Sequence, residues 1–293
     1  MLDTAAPKCF NDLLIISGLA HGTNVWAGNA EDLVKSGKTL NEVIGCRDDI
    51  MTYLISMGLD PSMSFRIMED VRKGKGLKPD YEDAMIANKV PDFYIESCKK
   101  IAYLFPRGHA TAYVMMAVRV AYFKLYYPLE FYAVFFSIRS DAWDIQTMIE
   151  GEAAVTAKIG ALRARQGDRN NPLSNKEDSI LETLFVACEM LERGYHFANI
   201  DLYRSDAKMF VVDHESKSLI PPFVVIDGLG ATAARSIIEA REKIYPEGKR
   251  PFISKEDLLS RTKLNGTNMK ALESFHVLDG LGETDQISLF EFL

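Results

Sequence analysis

The sequence predicts a mainly α-helical protein that ends in a smaller module of mixed helices and strands. Helix-capping residues recur up to Gly194, and from Phe197 onward short alternating segments typical of strands replace them. The chain has 293 residues, 47% of them hydrophobic, which is enough for one large or two medium domains. We therefore expect a helical domain over residues 1–194, an α+β module over 195–282 and a C-terminal tail over 283–293.

The first helices are predicted from their N-terminal caps. Asn29 is expected to cap a short helix, and Thr39 with Glu42 forms a capping box for the next turn. Asp60 followed by Pro61 places a cap before a proline, which is favoured at the first helical position.

Longer helices are expected over residues 144–165 and 174–193, the second stopped by Gly194. The most hydrophobic stretch, 110–138, contains Arg119 and Lys124 near its middle, which argues against a transmembrane span. We interpret it as two buried helices that are broken before Pro128.

After Gly194 the pattern predicts two strands, at residues 197–202 and 209–213, joined by a turn at 214–217. Ser254 is expected to cap one further helix, and a last short helix is expected to reach Phe275.

The charge and the cysteines narrow the class of protein. A net charge of −7 argues against a wholly basic nucleic-acid protein, so DNA contacts would need local basic patches such as residues 72–78. No targeting signal begins the chain, and no cysteine pair has the spacing of a zinc site. We therefore predict a cytoplasmic protein without a membrane partner, with reduced and mostly buried thiols. The cysteines are Cys9, Cys46, Cys98 and Cys188.

The most informative motif is the run Val-Ile-Asp-Gly-Leu-Gly at residues 225–230, followed by an alanine-rich helix start. It predicts a helix-hairpin-helix, in which glycines allow a tight turn and backbone N–H groups face a DNA phosphate. One alternative is a relaxed dinucleotide-binding fingerprint, which the loop-like residues at 245–251 disfavour. The other is an ordinary turn before a surface helix. The candidate DNA-binding residues are Gly228, Leu229, Gly230 and Thr232.

Three earlier segments have the composition of nucleotide or phosphate sites. Residues 15–23 are small and polar with two glycines, residues 72–78 alternate cations with glycines, and residues 105–113 combine an aromatic, a cation and a histidine. Each segment also has a purely structural interpretation, as a solvated loop or as part of the core.

No reaction centre is evident in the sequence. There is no Asp-x-Asp pair, and the adjacent Asp48 and Asp49 are expected to point to different faces of a helix, whereas two-metal phosphoryl transfer needs convergent carboxylates. Motifs of metalloproteases and of serine hydrolases are also absent. An unrelated helical enzyme therefore has little support.

Taken together and in order, these segments resemble the fingers and duplex-binding region of bacterial DNA polymerase III alpha subunits of the PolC type. The resemblance covers essentially the whole chain. It is carried by the blocks at 16–19, 21–23, 25–26, 28–30, 43–51, 71–77, 97–100, 116–119, 121–124, 199–205 and 218–223.

The resemblance implies a fingers-like domain over 1–194 that contacts a deoxynucleoside triphosphate and the template, and a module over 195–282 that grips double-stranded primer–template DNA. It also implies that the tail docks on the sliding clamp. The implied nucleotide-binding residues are Ser17, His21, Arg47, Arg72, Lys73, Lys75, Phe105 and His109. The implied clamp-binding residues are Gln286, Leu289 and Phe290.

Two features depart from the family. Residues 107–111 are Arg-Gly-His-Ala-Thr where members more often have Lys-Ala-His-Ala-Ala, so Gly108 is expected to loosen that helix start. The family's palm domain, whose aspartates hold Mg²⁺, would precede Met1, which is therefore expected to begin a fragment or an engineered piece. We expect no catalytic residue in this chain and no DNA synthesis by it alone. The alternative function is a non-enzymatic DNA-binding or scaffold protein.

Overall fold

The chain forms many short helices and a few very short strands. A computed structural model describes residues 1–245, 248–249 and 251–285. The helices are α1 Leu2–Ala5, α2 Phe10–His21, α3 Glu31–Lys35, α4 Arg47–Ser56, α5 Pro61–Arg72, α6 Pro79–Ala87, α7 Asp92–Lys100, α8 Arg107–Tyr126, α9 Pro128–Val134, α10 Ile145–Glu150, α11 Glu152–Arg165, α12 Asn175–Glu192, α13 Ala231–Glu242, α14 Lys255–Arg261 and α15 Gly266–Ser274. The strands are β1 His196–Phe197, β2 Val211–Asp213, β3 Ser218–Ile220, β4 Ile244–Tyr245 and β5 Gly248–Lys249. The predicted fold class is confirmed.

The chain divides into two compact units, and the division falls within α8. The first unit, Met1–Ala121, is built around α4 and α5, which pack closely against each other. Its core contains apolar side chains from most of its helices. Fully buried members include Leu19, Ile44, Ile50, Leu54, Ile67, Met85 and Leu104.

The second unit begins at Tyr122 and joins α9–α12 to the C-terminal module through one apolar core. Its small sheet has the order β1-β3-β2, with β1 parallel and β2 antiparallel to β3. Large buried members of this core are Tyr132, Phe136, Met148, Leu184 and Phe223. The domain boundary predicted near residue 194 stays a prediction. In the structure, residues 122–194 share this core with the residues that follow.

Several predicted helix starts are confirmed. The Asp60 carboxylate accepts a hydrogen bond from the Met63 N–H at 2.9 Å, and Pro61 is the first helical residue. Ser174 caps α12, and Thr39 with Glu42 forms the predicted capping box. These caps lie where a side-chain oxygen meets the unpaired N–H groups of a first turn.

Other predicted elements are wrong. Asn29 does not cap a helix; it is buried, and its amide bonds to the Ser97 hydroxyl at 2.7 Å. The long helix over 144–165 is broken at Gly151, whose φ of +99° interrupts a right-handed helix. The two predicted strands are shorter than expected. Strand β3 was not predicted, because Pro221 and Pro222 directly follow it and proline is rare inside strands.

Helix α8 differs most from expectation. The break before Pro128 is confirmed, but of the residues in α8 only Ala110 and Val114 are buried, so it is not the buried helix predicted from its hydrophobicity. It begins at Arg107 despite Gly108. Throughout the described ranges, no helix combines the length and the apolar character needed to cross a membrane.

We expect two Gly→Ala substitutions in helices to have opposite effects on stability. At Gly18 in α2, an added Cβ would lie 2.3 Å from the Gly45 carbonyl oxygen, so Gly18→Ala should destabilise by about 1–3 kcal/mol. At Gly160 in α11 nothing lies within 4 Å, so Gly160→Ala should stabilise by about 0.5–1 kcal/mol. Urea unfolding followed by circular dichroism measures both changes, and shifts of the same sign would contradict the packing described.

Candidate nucleotide and nucleic-acid sites

One short backbone stretch, residues 102–105 (the central segment), leads into the nominated segment 105–113 and is hydrogen-bonded to the other two nominated segments of the first unit and to Arg47. The Thr23 N–H donates to the Tyr103 carbonyl, and the Ala102 N–H donates back to the Thr23 carbonyl, both at 3.0 Å. The Leu104 N–H donates to the Arg72 carbonyl at 3.3 Å. The Arg47 N–H donates to the Phe105 carbonyl at 3.0 Å. These bonds place sequence-distant residues side by side.

Four aromatic side chains form a continuous ladder beside the central segment. Ring centroids lie 5.1 Å apart for His21 and Phe105, 4.9 Å for Phe105 and His109, and 4.6 Å for His109 and Tyr113. Phe105 packs on a small core of Leu14, Cys46 and Ala110. Three of the eight predicted nucleotide-binding residues, His21, Phe105 and His109, are therefore brought together.

The Glu69 carboxylate gathers three of the predicted cations. Arg72 donates to it through two nitrogens, at 2.5 and 2.9 Å, and the Lys73 ammonium lies 2.9 Å away. Arg47 lies at 3.8 Å. The hydrogen bond from Arg72 is the main cause that lowers the pKa of Glu69 to about 2, and the hydrogen bond from Lys73 is the second. Three cations around one carboxylate leave a local positive excess.

Lys75 belongs to a neighbouring group. Its ammonium lies 3.4 Å from Asp70, which also accepts from Lys78 at 2.8 Å. The hydrogen bond from Lys78 is the main cause that lowers the pKa of Asp70. Gly74, with a φ of +69°, turns the chain between the two groups, and a Cβ there would lie 2.5 Å from the Ala102 carbonyl oxygen.

Ser17 lies at the contact between α2 and the turn before α4. It is half-buried and directly precedes Gly18, which packs on the Gly45 backbone. Cys46 is next to this contact, and burial raises the pKa of its thiol to about 12. At neutral pH it is therefore a protonated packing residue and not a nucleophile.

The sequence did not reveal that Arg107 joins distant parts of the first unit by hydrogen bonds. Its backbone N–H donates to Asp48 at 2.7 Å, and its guanidinium donates to Asp49 and to the Asn11 amide oxygen, each at 2.7 Å. Asp48 and Asp49, which were expected to point to different faces of the helix, both bond to Arg107, Asp48 at its backbone N–H and Asp49 at its guanidinium. The signal available was the position of two acids in a first turn, where helix N–H groups and cations attract carboxylates.

In the second unit the predicted hairpin turn precedes α13. Gly228 has a φ of +83°, Leu229 is buried, and Gly230 is the cap residue of α13. The buried Asn268 of α15 donates its amide to the Gly228 carbonyl at 3.0 Å, which fixes the turn. Strands β4 and β5 that follow are an antiparallel pair, so the dinucleotide fold is not formed.

A recess of about 210 Å³ opens at the start of α13. Thr232, Arg235 and Lys263 line it together with one acid, Glu239. Nothing lies within 4 Å of a Cβ built at Gly230, so a ligand can approach the backbone there. The first N–H groups of an α-helix have no partner within the helix, so this recess has the donors and cations that bind an anion.

The predicted clamp-binding residues Gln286, Leu289 and Phe290 lie outside the described residues. Within the described ranges, no three His, Cys, Asp or Glu side chains are grouped so that they could hold a metal ion. The Mg²⁺ prediction, which places the ion on a separate palm domain, stays a prediction.

Two family models match this chain. Residues 1–91 match the bacterial DNA polymerase III alpha subunit finger domain, and residues 194–287 match the helix-hairpin-helix motif. The hairpin predicted from the sequence is therefore confirmed.

Curated relatives match along almost the whole chain. The chain is 50% identical to a DNA polymerase III PolC-type of Oceanobacillus iheyensis over 291 residues, which is 99% of this chain and 20% of the relative. It is 51% identical to proteins of the same name from Listeria monocytogenes and Bacillus subtilis, over 99% of this chain and 19% of each relative. The chain thus spans about a fifth of the length of these relatives. The resemblance inferred from the sequence is confirmed.

We expect the Glu69 carboxylate to contribute to acid stability. Because its folded pKa lies near 2 and its ordinary value is 4.5, its contribution is present above pH 4.5 and is lost as the pH falls toward 2. The difference in urea midpoint between the natural protein and Glu69→Gln should therefore shrink over that interval. Glu182→Gln, at an exposed glutamate of α12, is the control. A difference that stays constant with pH would contradict the assignment.

The two turn glycines should differ in their tolerance of alanine. Gly228→Ala must place a side chain at a φ of +83°, which costs about 1–2 kcal/mol. Gly230 has a φ of −71° and open space, so Gly230→Ala should change stability by less than about 0.5 kcal/mol. Equal losses in thermal unfolding would show that the turn has a different backbone.

Proposed function

We propose that this chain, which is homologous to a segment of PolC-type DNA polymerase III, contributes the nucleotide-contacting and duplex-gripping parts of a replicative DNA polymerase. The observation that carries the proposal is that a finger-domain match and a helix-hairpin-helix match lie in one chain that is 50% identical to such a polymerase over 99% of its length. Each unit then has a separate task.

The second unit holds the product duplex through the recess at α13. The Gly230 turn lets a phosphate approach the first N–H groups, and Arg235 and Lys263 supply positive charge beside them. Contacts of this kind fix the register of a duplex without reading its sequence. This suits an enzyme that must grip every sequence it copies. Glu239 and the net charge of −7 keep the grip weak and sensitive to salt.

The first unit binds a deoxynucleoside triphosphate. Arg47, Arg72 and Lys73 now share the Glu69 carboxylate, and a triphosphate would offer these donors more negative charge than one carboxylate does. The ladder of His21, Phe105 and His109 lies next to Arg47 through the central segment and offers aromatic faces to a base. Ser17 and Lys75 flank this arrangement.

The nucleotidyl-transfer reaction itself is assigned to another part of the polymerase. Mg²⁺, when bound there, would polarise the phosphates and activate the primer hydroxyl. The residues of this chain bind and orient. We therefore expect no primer extension by the purified chain with Mg²⁺ and all four nucleotides; measurable extension would contradict the assignment. The C-terminal residues Gln286, Leu289 and Phe290 are proposed to dock on the sliding clamp, as an apolar anchor with a polar rim contact.

The second candidate is a non-enzymatic DNA-binding or scaffold protein. It would keep the hairpin but would have no use for a triphosphate site. Binding of a nucleotide to the Glu69 cluster therefore separates the two functions.

Duplex binding is tested by fluorescence anisotropy with a labelled primer–template at low and moderate salt. Lys263→Gln and Arg235→Gln should each weaken binding and should each make the slope of log affinity against log salt shallower by about 1. Gly230→Val should weaken binding by blocking the backbone. Lys208→Gln, an exposed lysine outside the recess, is the charge control. If Gly230→Val and the natural protein bind the duplex equally, the hairpin is not the duplex site.

Nucleotide binding is tested by titrating the chain with a deoxynucleoside triphosphate and Mg²⁺ in a calorimeter. Lys73→Gln should weaken binding, since it removes one phosphate donor but leaves the bidentate Arg72–Glu69 pair in place. Lys89→Gln, at an exposed lysine of the same unit, is the matched control. Equal affinities of the natural protein, Lys73→Gln and Lys89→Gln would favour the scaffold.

A further inference from the structure

A groove in the second unit belongs to neither of these sites. Its volume is about 430 Å³, and the side chains that give it chemistry are Tyr126, Tyr127, Tyr195, Arg193, His214 and Lys217. We propose that this groove binds single-stranded DNA, with bases stacked on Tyr126 and Tyr127 and phosphates held by Arg193 and Lys217. The lining of this second DNA site shares no residue with the recess at α13, so the two sites can be tested separately.

The aromatic wall of the groove faces solvent. Tyr126, the last residue of α8, is 63% exposed, and Tyr127, which follows it, is 47% exposed, although both are large side chains. Tyr122 extends this surface, with its ring centroid 4.7 Å from that of Tyr126 and 6.2 Å from that of Tyr127. Exposed contiguous aromatics mark an interaction surface, and stacking on such rings is the sequence-independent way to hold unpaired bases.

Arg193 lines the same groove and is held in place by its neighbours, among them Glu189, whose carboxylate lies 3.9 Å from its guanidinium. Its guanidinium donates to the Tyr132 hydroxyl at 3.0 Å and to the Lys124 carbonyl at 3.2 Å. Tyr132 donates in turn to Glu189 at 3.0 Å, and its burial raises its pKa to about 12, so it stays a neutral partner. A guanidinium fixed in this way presents its remaining donors without further ordering cost.

Lys217 lies at the end of the turn between β2 and β3. The Asp213 carboxylate accepts from the Glu215 N–H at 3.1 Å, and the Lys217 carbonyl accepts from the His196 N–H at 3.1 Å, so the turn is fixed at both ends. In the part of the chain that the structure describes, the Lys217 ammonium forms no ion pair. It is therefore available to a phosphate.

The charge of the groove and its surroundings is mildly positive. Lys124, Arg193 and Lys217 face two carboxylates, Glu189, which lies 2.7 Å from Lys124, and Glu130, which lies 3.1 Å from His214. This balance predicts a modest, salt-sensitive affinity. Unpaired bases fit the groove better than a duplex does, because a ring can stack only on a base face that is free of its neighbours.

The proposal is tested by anisotropy of the whole chain with a labelled oligothymidylate of about 12 nucleotides, within the site size typical of such grooves. Tyr126→Ala and Tyr127→Ala should each weaken binding by about fivefold or more, and Tyr126→Phe should bind as the natural protein does. Lys217→Gln should make the salt slope shallower by about 0.7.

Two variants separate a groove effect from a loss of folding. Glu130→Gln removes the only carboxylate that lines the groove within the described residues, so it should tighten binding by about twofold, which unfolding cannot do. Lys208→Gln, an exposed lysine outside the groove, should leave binding unchanged.

The hairpin variant Gly230→Val distinguishes this proposal from the duplex site. It should leave oligothymidylate affinity unchanged while it weakens binding of a blunt-ended duplex, and Tyr126→Ala should do the reverse. Loss of oligothymidylate binding in Gly230→Val would place single strands at the hairpin and overturn the proposal. Unchanged binding in Tyr126→Ala, Tyr127→Ala and Lys217→Gln would overturn it as well.

Discussion

The backbone hydrogen bonds of residues 102–105 determine the arrangement of the first unit's candidate site. These residues contribute no charged side chain. Their N–H and carbonyl groups bond to Thr23, Arg47 and Arg72, which come from three separate helix–loop segments. Paired backbone groups are rigid and directional, so the ladder, the Glu69 cluster and the turn at Gly74 have one arrangement.

Two glycines of the first unit allow neighbouring backbone segments to pack directly against each other. Gly18 lies on the Gly45 backbone, and Gly74 lies on the Ala102 carbonyl, at distances that no side chain could occupy. In the second unit the missing side chain of Gly230 leaves open space instead, where a phosphate could come close to the start of α13. Glycine-rich motifs in this chain thus fall into two classes, one that packs backbone on backbone and one that leaves room.

The sequence predicted local structure well where one side chain determines it. Asp60, Ser254 and Thr39 are correct as caps because a cap depends on a few neighbouring atoms. Asn29 failed because its amide found a buried partner, Ser97, 68 residues away. The same limit applies to Arg107, whose partners Asp48, Asp49 and Asn11 are distant in sequence. The exposure of α8 is also a tertiary property that hydrophobicity does not reveal.

The candidate site, too, could be predicted from the sequence only in part. The family resemblance nominated His21, Phe105, Arg47 and Arg72, but only the tertiary structure shows that Glu69 collects the cations and that the central segment joins them. The most direct test of this account is native-state hydrogen exchange of the natural protein and Gly74→Ala. Because the added methyl presses on the Ala102 carbonyl, the account predicts faster exchange at the Thr23, Arg47 and Leu104 amides together. Faster exchange confined to residues 72–76 would show that the three segments are held independently.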